Sequence, residues 1–121
     1  IPADSSTGYF NTTEKDLPWR TSPVLIAQLS PAELRDLLSK GEKIRLIDVR
    51  EEEEHEAFNI GGMLLPLGEI MQMADEIPRT GKVVLYCKRG IRSAIAIQRL
   101  QEKFGFTNLI NLRGGLEEWK K

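Results

Sequence analysis

Short apolar segments alternate with amphipathic segments along most of this 121-residue chain. The clearest apolar run, Lys82–Tyr86, is nearly continuous, as is typical of a strand buried on both faces of a parallel sheet. The helical pattern that follows it has apolar positions at Ala94, Ile97, Leu100 and Phe104. Because strand–helix–strand units place parallel strands side by side, the alternation predicts an α/β fold with a parallel sheet of about five strands and helices on both faces.

Local signals divide the chain into further elements. Glycine and proline residues separate the short apolar runs, which predict strands, from segments with apolar residues at helical spacing. The predicted strands are Val24–Leu29, Ile44–Val49, Met63–Leu65, Lys82–Tyr86 and Asn108–Leu112. Besides the helices after the first and the central strand, helices are predicted over Glu51–Phe58 and over Leu67–Ile77. Gly114–Gly115 should open a final short helix that contains Trp119.

The segment after the first strand carries a complete helix-start signal. Ser30 is predicted to be the N-cap, Pro31 takes the first helical position, and Glu33 closes a capping box. The helix should end at Gly41, and its buried stripe should consist of Leu34, Leu37 and Leu38.

The first 23 residues differ in composition from the rest. They are polar and are interrupted by three prolines, so we expect a linker or an N-terminal arm, with a poorly ordered tail as the alternative. Tyr9, Phe10 and Trp19 could anchor such an arm on the domain surface. Residues 24–121 suffice for one domain with a substantial core and are too few for two.

Composition and charge argue against several classes of function. The formal net charge of −1 disfavours non-specific nucleic-acid binding, which needs an excess of Lys and Arg. No apolar run reaches the roughly 18 residues expected of a membrane-spanning helix. The single cysteine, Cys87, and the single histidine, His55, predict neither a disulfide nor a metal site, and no cofactor is expected. A lone functional thiol suits the reducing cytoplasm, while a periplasmic location stays open.

The segment Tyr86–Ser93 joins the central strand to the following helix and contains Cys87. A tight loop at such a junction directs several backbone N–H groups at one atom, and the helix dipole adds positive potential there. Lys88 and Arg89 on the outer rim, and Arg92 in the first turn of the helix, add positive charge. These effects favour the Cys87 thiolate, which then needs no general base.

A structural role for Cys87 is the alternative interpretation. A lone cysteine at the end of a core strand is often a small buried apolar residue. Gly90 and Arg92, however, suit a loop that surrounds an anion and have no use at a simple strand end. We therefore favour a reactive cysteine.

Three other features receive structural interpretations. His55 lies in an acidic segment far from Cys87, so a surface or packing role is expected rather than a Cys–His dyad. The carboxylates of Glu51–Glu54 point in different directions on a helix and should form a solvated first turn, with Glu54 paired to Arg50. Gly114–Gly115 lacks the rest of a nucleotide-binding pattern, which favours tight packing at a helix start.

The loop resembles the active-site loop of rhodanese domains, which carry a persulfide on a cysteine in a Cys-x-x-Gly-x-Arg-Ser pattern. Every fixed position of that pattern is met, by Cys87, Gly90, Arg92 and Ser93. Further signatures of the family follow the same order and lie at Asp48–Arg50, at Glu54, at Leu112–Gly115 and at Trp119. The resemblance extends over residues 29–119, most of the chain.

The resemblance implies a rhodanese-like fold over residues 24–121 and a sulfurtransferase activity. Cys87 would pass sulfane sulfur from thiosulfate or the persulfide of a cysteine desulfurase to a nucleophilic acceptor. Because there is no second cysteine, the acceptor must come from outside the chain. Asp48 and Arg50 are expected to hydrogen-bond the loop backbone, and the anion-binding residues would be Lys88, Arg89, Gly90, Ile91, Arg92 and Ser93.

One stretch indicates a subgroup of the family. Phe58–Met63, with Leu65–Gly68 after it, departs from the Gly-His-Ile-Pro-Gly-Ala of many single-domain rhodaneses. It looks like the rhodanese modules at the C-terminus of adenylyltransferases that activate a sulfur-carrier protein for molybdenum-cofactor or thiamin synthesis. The resemblance thus implies a sulfur-carrier protein as acceptor and an adenylyltransferase domain on the N-terminal side, joined through residues 1–23.

Two other functions remain alternatives. Cysteine phosphatases and arsenate reductases related to rhodaneses place five residues between cysteine and arginine, whereas four separate Cys87 from Arg92. The smaller cradle should suit one sulfur atom better than a tetrahedral oxyanion. The second alternative is a catalytically silent docking module, but the usual mark of such modules is a missing cysteine, and Cys87 is present.

Overall fold

The computed structural model describes residues 26–121, and the predicted arm at residues 1–23 lies outside this range. The strands are β1 (Ala27–Leu29), β2 (Ile44–Asp48), β3 (Met63–Leu64), β4 (Lys82–Tyr86) and β5 (Leu109–Leu112). They form one sheet in the order β1-β5-β4-β2-β3, and every neighbouring pair is parallel. The predicted α/β architecture is confirmed, with small differences at the strand ends inside this range; residues 24–25 of the first predicted strand lie outside it.

Four helices connect or follow these strands. They are α1 (Pro31–Ser39), α2 (Glu52–Ala57), α3 (Ile91–Phe104) and α4 (Gly115–Trp119). At the start of α1, Ser30 Oγ accepts from Glu33 N at 3.1 Å and Glu33 Oε1 accepts from Ser30 N at 2.8 Å. This confirms the predicted capping box. The predicted buried stripe is wrong at Leu38, which is 37% exposed, whereas Leu34 is fully buried.

The segment predicted as a helix over Leu67–Ile77 is instead a series of tight turns, with a 3-10 turn at Ala74–Glu76. Its backbone hydrogen bonds, such as Met73 N to Ile70 O at 3.1 Å, join residues three positions apart and so close four-residue turns. The chain enters this segment from the sheet, because Leu67 N still donates to Val49 O. Successive turns of this kind bury Ile70 and Ile77 against the core.

Each face of the sheet carries its own apolar layer. Val83 and Leu85 of β4 point into a layer that contains the buried face of α3. Val84 and Tyr86 point the other way, into a layer that contains residues of α1 and α4. Because alternate side chains of a strand point to opposite faces, burial on both faces explains the nearly continuous apolar run.

The register of the two central strands determines where the site lies. β2 and β4 are paired residue for residue up to Asp48 opposite Tyr86. The residues just after both strands, Val49–Arg50 and Cys87, therefore lie at the same edge of the sheet. In parallel sheets this carboxyl edge is where ligands bind.

Candidate active site

Cys87 follows the last residue of β4 and is almost completely buried. Its Sγ accepts a hydrogen bond from Gly90 N at 3.1 Å and one from Ser93 N at 3.4 Å, and Ser93 Oγ lies 3.4 Å away. Two backbone donors and one hydroxyl thus surround a single sulfur atom at the N-terminus of α3. N–H groups at a helix start stabilise negative charge on the atom they face.

Gly90 allows the loop to turn back on the sulfur. Its φ is +86°, a left-handed conformation that costs glycine little and other residues more. A Cβ at this position would also lie only 3.0 Å from Gly114 N and 3.1 Å from Leu112 O. The fixed glycine of the sequence pattern is therefore required both by the turn and by the close approach of the chain after β5.

Backbone N–H groups at the start of α4 hydrogen-bond the cysteine loop. Leu116 N donates to Cys87 O at 2.9 Å, and Glu117 N donates to Lys88 O at 3.0 Å. A Cβ on Gly115 would lie 2.5 Å from Cys87 O, so the two backbones can approach this closely only because residue 115 is glycine. The interpretation of Gly114–Gly115 as tight packing at a helix start fits this geometry, and the packing partner is the cysteine loop.

Asn111 in β5 is a part of the site that the sequence analysis missed. Its side chain is buried, accepts from Ser93 Oγ at 2.5 Å, and donates to Gly90 O at 3.1 Å and to Gln28 Oε1 at 3.1 Å. The signal that could have found it is a polar residue inside the short apolar run Leu109–Leu112. Its function in the site depends on contacts with residues about twenty positions earlier, which no local pattern reveals.

Arg92 pairs with Glu54, for which the sequence predicted Arg50 as the partner. Its guanidinium donates to Glu54 Oε1 at 2.8 Å and to Glu54 Oε2 at 2.9 Å. The predicted pairing of Glu54 with Arg50 is therefore wrong, because α2 runs beside the first turn of α3. The hydrogen bonds from Arg92 lower the pKa of Glu54 from 4.5 to about 2, and the same contact raises the pKa of Arg92.

Asp48 and Arg50 form a buried ion pair beside the loop. Asp48 is fully buried and accepts from Arg50 Nε at 2.9 Å and from Arg50 Nη2 at 2.8 Å, while Arg50 also donates to Phe58 O. The expectation that they hydrogen-bond the backbone of residues 88–93 is not met within the described residues. The Arg50 side chain instead turns back to Asp48 at the end of β2 and also donates to Phe58 O at the end of α2. The pair therefore joins these two elements.

Two further residues complete this buried network. His55 Nδ1 lies 2.8 Å from Asp48 Oδ2, so His55 has a specific partner beyond the surface or packing role predicted for it. Burial by itself raises the pKa of Asp48, but hydrogen bonds from Arg50 and His55 outweigh it and leave that pKa below its ordinary value. Tyr86 donates to Gly61 O at 2.9 Å, and its burial raises its pKa to about 12.

The rim of the loop is exposed and positively charged. Lys88 and Arg89 are exposed, Arg89 lies 3.3 Å from Glu117 Oε2, and Ile91 is 59% exposed. Within residues 26–121 no group of three or more His, Cys, Asp and Glu side chains is placed to hold a metal ion. In the same range, no helix has the length and apolar character needed to cross a membrane. The arrangement offers a buried sulfur, fixed N–H donors for an anion on that sulfur, and exposed cations at the rim of the loop.

Curated proteins have sequences similar to most of this chain. The chain is 38% identical over 96 residues to the probable adenylyltransferase/sulfurtransferase MoeZ of Mycobacterium tuberculosis, which covers 77% of this chain and 24% of MoeZ. It is 33% identical over 95 residues to the putative sulfur carrier protein YrkF of Bacillus subtilis, with 78% and 51% covered. It is 32% identical over 98 residues to a sulfurtransferase of Allochromatium vinosum, with 80% and 91% covered. The chain thus spans about a quarter of MoeZ and about half of YrkF.

Solved structures also match most of the chain. The rhodanese-like domain protein from Staphylococcus aureus has a TM-score of 0.71 at 23% identity, covering 78% of this chain and 91% of that one, which supports the fold. A NAD-dependent persulfide reductase from A. fulgidus has a TM-score of 0.60 at 32% identity, covering 78% and 16%. The family model for the rhodanese-like domain matches residues 30–121. The chain therefore belongs to the rhodanese-like domain family.

Proposed function

We propose that this protein is a sulfurtransferase that carries a persulfide on Cys87. The observation that carries the proposal is the pair of N–H groups, from Gly90 and Ser93, that point at the buried Cys87 Sγ. Family membership and the sulfurtransferase names of the relatives support a role in sulfur transfer.

In the loading step the Cys87 thiolate attacks the outer sulfur of thiosulfate. A new S–S bond forms at Sγ, the S–S bond of thiosulfate breaks, and sulfite leaves with the bonding electron pair. The negative charge passes from Sγ to the terminal sulfur of the persulfide. Burial of Cys87 favours donors that present a single terminal sulfur, and the exposed Lys88 and Arg89 would attract an anionic donor. The persulfide of a cysteine desulfurase presents the same kind of sulfur.

In the unloading step a nucleophile attacks the terminal sulfur of the persulfide and regenerates the Cys87 thiolate. Cyanide would leave as thiocyanate, and a thiol would leave as a new persulfide. The chain has one cysteine, so the resolving nucleophile belongs to another molecule or domain. We propose a sulfur-carrier protein as that acceptor. The name of MoeZ, a probable adenylyltransferase/sulfurtransferase, supports a longer chain with an adenylyltransferase domain as one setting for this module.

Intact-mass measurement tests the proposal directly. After incubation with thiosulfate and removal of excess reagent, the protein should gain the mass of one sulfur atom, and cyanide should reverse the gain with release of thiocyanate. Cys87→Ser, which keeps a hydroxyl of similar size in the loop, should gain nothing. An unchanged mass with both thiosulfate and a desulfurase persulfide, under conditions where iodoacetamide still alkylates Cys87, would contradict sulfur transfer.

The same samples distinguish the two alternatives. A phosphatase would hydrolyse p-nitrophenyl phosphate in a reaction that depends on Cys87, and the sulfurtransferase proposal expects no such turnover. A silent docking module would neither load sulfur nor release thiocyanate. Either outcome would replace the proposal: no loading with p-nitrophenyl phosphate turnover would indicate a phosphatase, and no loading without that turnover would indicate a docking module.

A further inference from the structure

The buried amide of Asn111 has only one orientation that satisfies its neighbours. One end of the amide lies 3.1 Å from Gly90 O, and a carbonyl oxygen has no hydrogen to donate, so the NH₂ group must occupy that end. The amide oxygen is thereby directed at Ser93 Oγ, at 2.5 Å. Rotating the amide by half a turn would place two acceptors against each other at Gly90.

This orientation determines what the Ser93 hydroxyl can do. Asn111 Oδ1 can only accept, so Ser93 must donate its single O–H to Asn111. The side of Ser93 Oγ that faces Cys87 Sγ, at 3.4 Å, is then a lone pair. The hydroxyl can accept from the Cys87 thiol but cannot donate to the thiolate while it remains bonded to Asn111.

We infer that Asn111 is a positioning residue that withholds the Ser93 hydroxyl from the Cys87 thiolate. The thiolate then has the two backbone donors of Gly90 and Ser93 and no side-chain donor from residue 93. Nucleophilicity of a thiolate falls as its stabilisation increases. Asn111 therefore keeps the Cys87 thiolate more nucleophilic than it would be in a loop with a third donor. The effect of this nucleophilicity on turnover rests on the proposed sulfur transfer.

The effects of the two contacts of Asn111 can be separated by experiment. One contact acts through Ser93, and the other holds the Gly90 peptide whose N–H points at the sulfur. If Asn111 is replaced by alanine, the freed Ser93 hydroxyl can rotate and donate to the thiolate. Any effect through Gly90 should be the same whether residue 93 is serine or alanine, so a comparison in both backgrounds isolates the hydroxyl.

The experiment measures the rate of alkylation of Cys87 by iodoacetamide against pH in four proteins: wild type, Ser93→Ala, Asn111→Ala and the double variant. Asn111→Ala should move the midpoint of the profile to lower pH and reduce the high-pH plateau rate about twofold, because a hydrogen bond is added to the thiolate. Neither change should follow when Asn111→Ala is made in the Ser93→Ala background. The charged pairs nearest the loop, Arg92 with Glu54 and Arg89 with Glu117, and the exposed Lys88 are the same in all four proteins.

Two results would overturn the inference. The first is an equal effect of Asn111→Ala in both backgrounds, which would assign it to Gly90 or to general loosening. The second is a shift to higher pH in Ser93→Ala alone, which would mean that the hydroxyl already donates to the sulfur. If Asn111→Ala does not fold, the Ser93→Ala profile decides: an unchanged or lower midpoint supports the inference, and a higher one refutes it.

Asn108→Ala is the matched control. Its amide lies just before β5, at the opposite end of the strand, and donates to Pro78 O and Gly81 O. Its alkylation profile should equal that of the wild type. Alkylation needs only the thiol, so failure of thiosulfate loading together with the predicted alkylation pattern would reject sulfur transfer and leave the role of Asn111 intact.

Discussion

Glu54 accepts two parallel hydrogen bonds from the Arg92 guanidinium, at 2.8 and 2.9 Å, and so joins α2 to the first turn of α3. Bidentate pairs of this kind have fixed geometry as well as favourable energy. The pair lies directly behind the cysteine loop, because Arg92 precedes Ser93, whose N–H points at the sulfur. An acidic residue from a separate element thus determines where the loop arginine lies.

The ion pair predicts a specific dependence of stability on pH. The pKa of Glu54 is about 2 in the folded protein against an ordinary 4.5, so as pH falls the unfolded state binds the proton first. The stabilisation is complete above about 4.5 and is lost as pH falls towards about 2. Glu54→Gln should therefore lower the free energy of unfolding by about 1 kcal/mol at neutral pH, since the pair is partly solvent-screened.

Urea denaturation of both proteins at neutral pH and at several acidic values checks this prediction. The difference in the free energy of unfolding between wild type and Glu54→Gln should disappear as the pH approaches about 2. Glu53→Gln, an exposed position on the same helix, should behave like the wild type throughout. A difference that stays constant with pH would contradict the assigned ion pair.

Gly115→Ala should displace the cysteine loop. The new Cβ would lie 2.5 Å from both Cys87 O and Lys88 O, at a φ of +63°. We expect a loss of at least about 2 kcal/mol in the free energy of unfolding, because the opposing atoms are backbone and cannot move aside alone. Sulfur loading in the folded fraction should also slow, since Leu116 N can no longer hold Cys87 O.

Gly105→Ala is the control for backbone conformation. Gly105 has a φ of +73°, but a Cβ added to it would have no other atom within 4 Å. Its substitution should cost only the left-handed conformation, about 1 kcal/mol, and should leave sulfur loading unchanged. Equal losses of stability and of loading in the two variants would show that the contact with the loop does not matter.

Asp48→Asn should be strongly destabilising. Asp48 is fully buried and is the carboxylate partner of the buried Arg50. Removing its charge leaves the Arg50 guanidinium buried without an anion, which should cost about 3 kcal/mol. His55→Gln, which removes one hydrogen bond from the same carboxylate, should cost about 1 kcal/mol.

Equilibrium unfolding in urea measures both costs, with Asp75→Asn as an exposed acidic control on the 3-10 turn. A cost for Asp48→Asn no larger than that of the control would mean that the buried pair contributes little. A larger cost for His55→Gln than for Asp48→Asn would contradict the order in which the two partners stabilise the network.

Lys88→Gln should weaken the attraction of anionic donors without changing the chemistry. Lys88 is exposed on the rim of the loop, so its charge should act mainly on encounter with the donor. We expect the KM for thiosulfate to rise about twofold at low ionic strength with kcat unchanged, and the difference to disappear at high salt. Lys40→Gln, at the far end of α1 beside Asp36, is the control. A fall in kcat alone would contradict this role.

Local patterns predicted most of the fold because caps, strands and tight loops are determined largely by short stretches of sequence. The capping box at Ser30, the nearly continuous apolar run of β4 and the tight loop after Cys87 are each visible in residues close together in the sequence. The segment after Leu67 was predicted wrongly because apolar spacing does not distinguish one helix from successive tight turns. There the path of the chain beside β2 decides the backbone conformation.

The sequence by itself determined the strand–helix alternation, the place of Cys87 at a strand end, and a loop in which four residues separate that cysteine from Arg92. The tertiary structure alone decided which side chains meet there. Glu54 pairs with Arg92 and not with Arg50, and Asn111 reaches Ser93. These partners come from different strands and helices, so their contacts follow from the order and register of the sheet, which no local pattern encodes.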